Sequence, residues 1–241
     1  MAEKTVRKLS KKQRVILIAA AAAALLAGAA AGGWLYINRF DAGEYVQAVL
    51  DTSYKNETDQ YVEITGVPKE EAEKIFENNL DATMAGFEDS EMPEELRPRY
   101  RELFGEIAGK VNYTVGEPKR KEDGSYTVAV TIKPITLFPD TYELFQTRAE
   151  EYASQVTDSV MNGAEMPLDA EMQSRIYQIY YEVLKERVDS GMLYGGAREV
   201  TLHVTKEGSR EFTIAREDMD ELDSALIEDA EAREDEVREE E

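Results

Sequence analysis

The sequence predicts an α+β protein: an N-terminal transmembrane helix, then helices packed on an antiparallel sheet built from two β-hairpins. Three observations carry this. Residues 15–37 form an unbroken apolar run. Apolar residues recur at three- and four-residue steps through most of 41–108 and 140–189, and at two-residue steps in 111–132 and 200–214. The order helix, helix, hairpin therefore occurs twice, at roughly 68–133 and 140–215, although the two halves share little residue identity.

The run 15–37 follows a basic segment, 1–14, in which Lys4, Arg7, Lys8, Lys11, Lys12 and Arg14 face the single acid Glu3. As a helix the run is roughly 34 Å long, enough to cross a bilayer core. Lys and Arg beside a span stay on the cytoplasmic side, so the N-terminus is expected inside and the rest of the chain outside the cytoplasm. Val15, Ile16, Leu17, Ile18, Leu25 and Leu26 supply most of the apolarity, and Trp34, Leu35, Tyr36 and Ile37 renew it at the outer end. Trp34 and Tyr36 sit where interfacial anchors belong. A cleavable signal is the alternative, with a core over Val15–Leu26 and small residues at Ala29-Ala30-Ala31; the product would be secreted. The renewed apolarity past those small residues favours the uncleaved, single-pass anchor. Gly28 and Gly32 have the small-xxx-small spacing of a helix-dimer face, a spacing that also arises by chance where ten of 23 residues are alanine.

The chain has a formal charge of −22; residues 1–37 hold six bases and one acid, which leaves −27 on 38–241. So acidic a domain repels phosphates, which argues against nucleic acid as a partner. It has no cysteine, so disulfides, thiolate metal sites and a cysteine-linked lipid anchor are excluded. Residues 38–227 are long enough for one ordinary core. The segment 228–241 holds nine acids and two arginines and reads as an acidic, mobile tail.

Within the domain, Asp41 to Tyr54 reads as a helix on Tyr45, Val46, Val49 and Leu50, and Tyr61, Val62 and Ile64 mark a short second one. Gly66 breaks it. Pro68 then fits a helical first turn, followed by Glu70 and Glu71 near the positive end of the next helix. Ala72, Ile75, Phe76, Asn79, Leu80, Thr83, Met84 and Phe87 lie on one face of that helix, and Pro93 opens another through Leu96, Tyr100, Leu103, Phe104 and Ile107. Beyond Gly109, Val111, Tyr113 and Val115 form one strand and Tyr126, Val128, Val130 and Ile132 a second, joined by the polar turn Glu117 to Gly124. A long helix runs from Pro139-Asp140 to about Met161, closed by Asn162-Gly163. The helix from Asp169 to Asp189 has two apolar stripes, which predicts packing on the sheet and against another helix. Val200, Leu202 and Val204 pair with Phe212 and Ile214 in the second hairpin, and Asp218, Met219, Leu222 and Leu226 suffice for a closing helix.

No residue set identifies a reaction. His203 is the single histidine, placed between inward-facing Leu202 and Val204, so its ring is expected on the polar side of the strand. No nucleophile elbow, zinc helix, phosphate loop or calcium loop is present. The acid groups Glu94/Glu95 and Asp218/Asp220/Asp223 are expected by chance in a chain with 50 acids. Tyr177, Tyr180 and Tyr181 cluster on one helix and suit either stacking on a ligand or packing at the core edge; periodicity favours packing. Asn56-Glu57-Thr58 and Asn112-Tyr113-Thr114 match the glycosylation pattern. No catalytic, cofactor or metal residues are assigned.

The stretch Tyr45-Val46-Gln47-Ala48-Val49-Leu50-Asp51-Thr52-Ser53-Tyr54-Lys55, with Tyr113-Thr114-Val115-Gly116-Glu117 and Tyr126-Thr127-Val128-Ala129-Val130, resembles uncharacterised exported, membrane-anchored or lipoprotein-like proteins of Gram-positive anaerobic bacteria. The resemblance spans most of 41–215 and implies location rather than an active site. Members of that group commonly start at a lipobox cysteine, which this chain lacks. A helical lead into hairpins is also similar to cystatin-like and nuclear-transport-factor-like folds, a likeness of fold only. The expected function is a membrane-tethered, extracytoplasmic, non-catalytic domain that binds a protein or glycan. Two alternatives stand beside it: a carboxylate-based hydrolase of cell-wall or sugar substrates, and an accessory subunit of a membrane complex.

Overall fold

A computed structural model describes residues 41–88, 92–208 and 211–228. The apolar run with its aromatic end, Gly28 and Gly32, and the tail past Glu228 lie outside these residues. Among the described residues no helix is long and apolar enough to cross a membrane.

The helical lead follows the expected pattern. Helix α1 (Ala42–Lys55) buries Tyr45, Val46 and Leu50 and packs against the helices that follow and on the sheet. Helix α2 (Asp59–Thr65) stops at Gly66, whose left-handed φ of 76° lets its N–H return to the Val62 carbonyl at 2.8 Å. Helix α3 (Lys69–Glu88) begins on Pro68, whose carbonyl accepts its first bonds. Pro93 does not itself open the next helix. Residues 94–96 form a turn, and helix α4 (Arg97–Ala108) starts with Pro98 in its first turn, where no N–H is required.

The period-2 segments form one antiparallel sheet in the order β1-β3-β4-β5. Its members are β1 (Asn112–Val115), β3 (Tyr126–Lys133), β4 (Arg198–Lys206) and β5 (Phe212–Ile214), with the two-residue β2 (Lys119–Arg120) also paired to β3. The stretch expected as a plain turn thus holds a short strand. The reversal tightens to 121–125, where Gly124 takes a φ of 87° and the Lys121 N–H reaches the Ser125 carbonyl at 2.8 Å. The two hairpins join through β3 and β4, with Val128 opposite Leu202 and Val130 opposite Val200. These residues, with Ile132 and Val204, fill the buried face, while Thr131, Glu199, Thr201 and His203 alternate onto the exposed one.

Helices α5 (Leu137–Met161) and α6 (Asp169–Ser190) form a long antiparallel pair. Helix α5 begins before the expected Pro139, which sits in its first turn. Helix α6 packs against α5 and, more lightly, against α4, the helix–helix part of the expectation, while α1 and α7 (Arg216–Leu226) pack on the sheet. Leu184 and Val188 of α6 join Leu80, Tyr100, Leu103, Phe104 and Leu137 in a helical core. Ile135, fully buried, binds this core to the end of α7: its N–H bonds Leu226 O at 2.8 Å and its carbonyl accepts from Glu228 N at 2.9 Å.

Candidate functional site

Helices α1, α3 and α4 do not close completely over the start of α5 and the end of α7. They leave a cavity of about 610 Å³. Phe76 and Leu80 of α3, Phe104 and Ile107 of α4, Phe138 and Leu226 form most of its wall. Small side chains at Ser53, Ala82 and Ala108 keep it open, because nothing larger fills the gaps between the helices. Its polar members are Ser53, Tyr54, Asn79, Thr83 and Asp223. A recess of this size, apolar apart from a few grouped polar atoms, has the form of a small-molecule site.

Tyr54, in the last turn of α1, donates its hydroxyl to Asp223 Oδ1 on α7. Burial raises the Tyr54 phenol above its ordinary value, and the neighbouring Asp223 charge adds to this. Asp223 keeps one side open to solvent. The protein packed on its other side nevertheless raises its carboxyl; the Tyr54 bond opposes that shift and the charge of Asp220 reinforces it. Among the described residues no Lys or Arg pairs with Asp223.

A second tyrosine–carboxylate pair lies alongside, with the Tyr113 ring 6.4 Å from that of Tyr54. Tyr113 donates to Asp51 Oδ1 at 2.6 Å, Lys55 Nζ reaches the same oxygen at 2.8 Å, and Gln47 donates to Oδ2 at 2.7 Å. Burial disfavours the Asp51 charge, but the bonds from Lys55, Tyr113 and Gln47 outweigh it and hold the carboxyl below its ordinary value. Each acid takes a tyrosine hydroxyl, and Asp51 has Lys55 and Gln47 besides.

The residues singled out in the sequence are scattered. His203 has its ring on the exposed face, as expected, with Nδ1 2.9 Å from Asp218 Oδ2. The set Asp218/Asp220/Asp223 is divided between a strand edge, open solvent beside Arg216 at 3.9 Å, and the cavity. Glu94 pairs with Arg97 at 3.2 Å, and Glu95 lies 3.5 Å from the Ser174 hydroxyl on α6. Tyr181 stands edge-on to Tyr100 at 5.5 Å and Tyr180 to Phe145 at 5.0 Å, so these tyrosines pack at the core edge. Asn56 and Asn112 are both exposed, in a loop at φ 57° and at the start of β1. Among the described residues no group of three or more acids and histidines could hold a metal ion.

Sequence reasoning missed the cavity and the Tyr54–Asp223 pair. The partners are 169 residues apart and neither belongs to a motif. The available signal was slight: Asp223 follows the buried Leu222 in a helix rich in acids, and nothing in the sequence sets it apart from Asp218 or Asp220.

No family model matches the chain, and no curated protein matches it. Its fold is similar to a crystal structure from Bacillus subtilis subsp. subtilis strain 168 described as "a putative lipoprotein (ycdA)". The TM-score is 0.56 at 16% identity, over 78% of this chain and 56% of that one. This chain therefore matches little more than half the length of the Bacillus protein, and what the two share is the fold.

Proposed function

We propose that this is a bacterial, membrane-tethered, extracytoplasmic domain that binds a small apolar ligand without chemical turnover. The observation that carries the binding reading is the 610 Å³ cavity between α1, α3 and α4, apolar in most of its wall and edged by Tyr54 and Asp223. Its location rests on the basic segment before the apolar run 15–37, and the fold shared with the Bacillus protein described as "a putative lipoprotein" supports it. The non-catalytic reading is supported by Asp223, which is bonded to a phenol rather than facing a second carboxylate across a cleft.

The test uses the full-length chain in lipid nanodiscs, titrated with hexanol and blanked against empty discs. Thr83 lines the cavity from its exposed side, so Thr83→Trp fills the space without breaking the core. Saturable binding to the parent chain that disappears in Thr83→Trp supports the site. Equal uptake by both chains refutes it.

A further inference from the structure

We propose that the cavity selects a small molecule carrying an ammonium group on a short alkyl or aryl body, with the cationic head seated against the bonded Asp223–Tyr54 pair. This rests on the cavity being a binding site and adds what it would recognise.

The argument comes from the donors and acceptors of the lining. Asp223 is the one ionised side chain among the lining residues, which include no Lys, Arg or His. Each donor whose bond is seen there already points at the protein. The Tyr54 hydroxyl is given to Asp223, the Asn79 amide to the Ser53 carbonyl at 3.3 Å, and the Thr83 hydroxyl to the Asn79 carbonyl at 3.0 Å. Beside the neutral donors left on the Asn79 amide and the Ser53 hydroxyl, the lining offers the second Asp223 oxygen, the lone pairs of the Tyr54 phenol and the Asn79 side-chain oxygen, and its one charge is negative. An ammonium brings three donors and no acceptor, and it neutralises a carboxylate that no lysine or arginine among the described residues compensates. A carboxylate or phosphate head would meet repulsion from Asp223, with Asp220 adding to it, and no cationic side chain in the lining to offset it. An alcohol would satisfy one acceptor and leave the charge uncovered. The volume of about 610 Å³ is that of a drug-sized body, so a free amine is the expected source rather than the head of a two-chain lipid.

Hexylammonium, hexanol and hexanoate share one apolar body and differ in the head. Each is titrated calorimetrically into the full-length chain in nanodiscs, against empty discs, for the parent chain, Asp223→Asn, Tyr54→Phe and Thr83→Trp. Asn at 223 can still accept the Tyr54 hydroxyl, which keeps the fold's own bond. The expected result is hexylammonium binding about tenfold or more tighter than hexanol, with hexanoate weakest. Asp223→Asn should bring hexylammonium down to the hexanol level while leaving hexanol unchanged. Tyr54→Phe, which removes one acceptor and keeps the charge, should weaken hexylammonium less than Asp223→Asn does. Equal binding of all three heads, or a preference that survives Asp223→Asn, overturns the amine selectivity and leaves the cavity standing. Hexylammonium bound equally by Thr83→Trp means attraction to the acidic surface, and overturns it too. If no probe binds the parent chain, the cavity reading falls and takes this one with it.

Discussion

Asp51 and Asp223 accept hydrogen bonds from neighbouring tyrosines, yet their carboxyls shift in opposite directions. That difference fixes the sign of their pH effects. Asp51 is lowered, so its contribution is present above the unfolded carboxyl value and is lost as pH falls through the folded one. Asp51→Asn keeps an acceptor but loses the ion pair with Lys55 and one of two strong acceptor oxygens. It should cost about 1–3 kcal/mol at neutral pH in urea unfolding, and flatten the acid limb of a stability–pH curve. Asp223 is raised, so between its unfolded and folded values the native state holds the proton more tightly, and stability falls as pH rises. Asp223→Asn should therefore raise the thermal midpoint at neutral pH and leave it unchanged near pH 3, where the carboxyl is protonated in both states. Tyr45 adds an alkaline limit. Burial pushes its phenol up to about 12 while its hydroxyl donates to the Phe212 carbonyl at 3.0 Å. Stability from this residue is whole below the unfolded tyrosine value of about 10 and is lost as pH rises through about 12. The tyrosine pairings have no sequence signature, since Asp51 and Tyr113 are 62 residues apart and Tyr45 and Phe212 are 167 apart; only the Asp51–Lys55 pair, one helical turn apart, is legible.

At the scale of elements the sequence was far more informative. Helix and strand periods placed each described helix and the four main strands, because burial on one face leaves a period that no other arrangement imitates. The paired valines and leucines of β3 and β4 show why: each alternate residue points into one core. The pattern is silent about identity. The two stripes of α6 announced two neighbours, and α5 and α4 are among them, but a stripe reads the same whether a sheet or a helix covers it. The α5–α6 pair also divides in energy. Leu184 is fully buried, while Leu168 and Met166, in and before the loop edge of α6, are 69% and 63% exposed. Leu184→Ala should cost about 2–5 kcal/mol in denaturant unfolding, and Leu168→Ser should stay within about 0.5 kcal/mol. Hydrogen exchange should run faster around 155–175 than in α4, whose Tyr100 and Leu103 are sealed in the helical core.

For the molecule as a whole, charge is the dominant legible property. Residues 38–241 carry −27, and the ion pairs seen on the surface, such as Arg101 with Glu77 and Asp81, offset only part of the resulting repulsion. Raising salt from about 0.01 M to 0.15 M shortens the Debye length from about 30 to 8 Å and should raise the thermal midpoint of the full-length chain. A midpoint unchanged over that range would mean that local pairing already neutralises the repulsion. The cavity was out of reach at this scale, because a void is defined by side chains that stop short of one another, and no residue type marks that.

The contact between α7 and the sheet bears on how copies of the domain meet one another. Strand β5 is only three residues long, and beyond it β4 would present bare backbone. Instead the Ala215 N–H takes the His203 carbonyl at 3.0 Å, and the Asp218 carboxylate takes the His203 N–H at 2.5 Å and sits 2.9 Å from its ring. A side chain thus stands where the next strand of a neighbouring copy would dock. At His203 the edge of β4 carries a stopper, which hinders two copies from zipping together there.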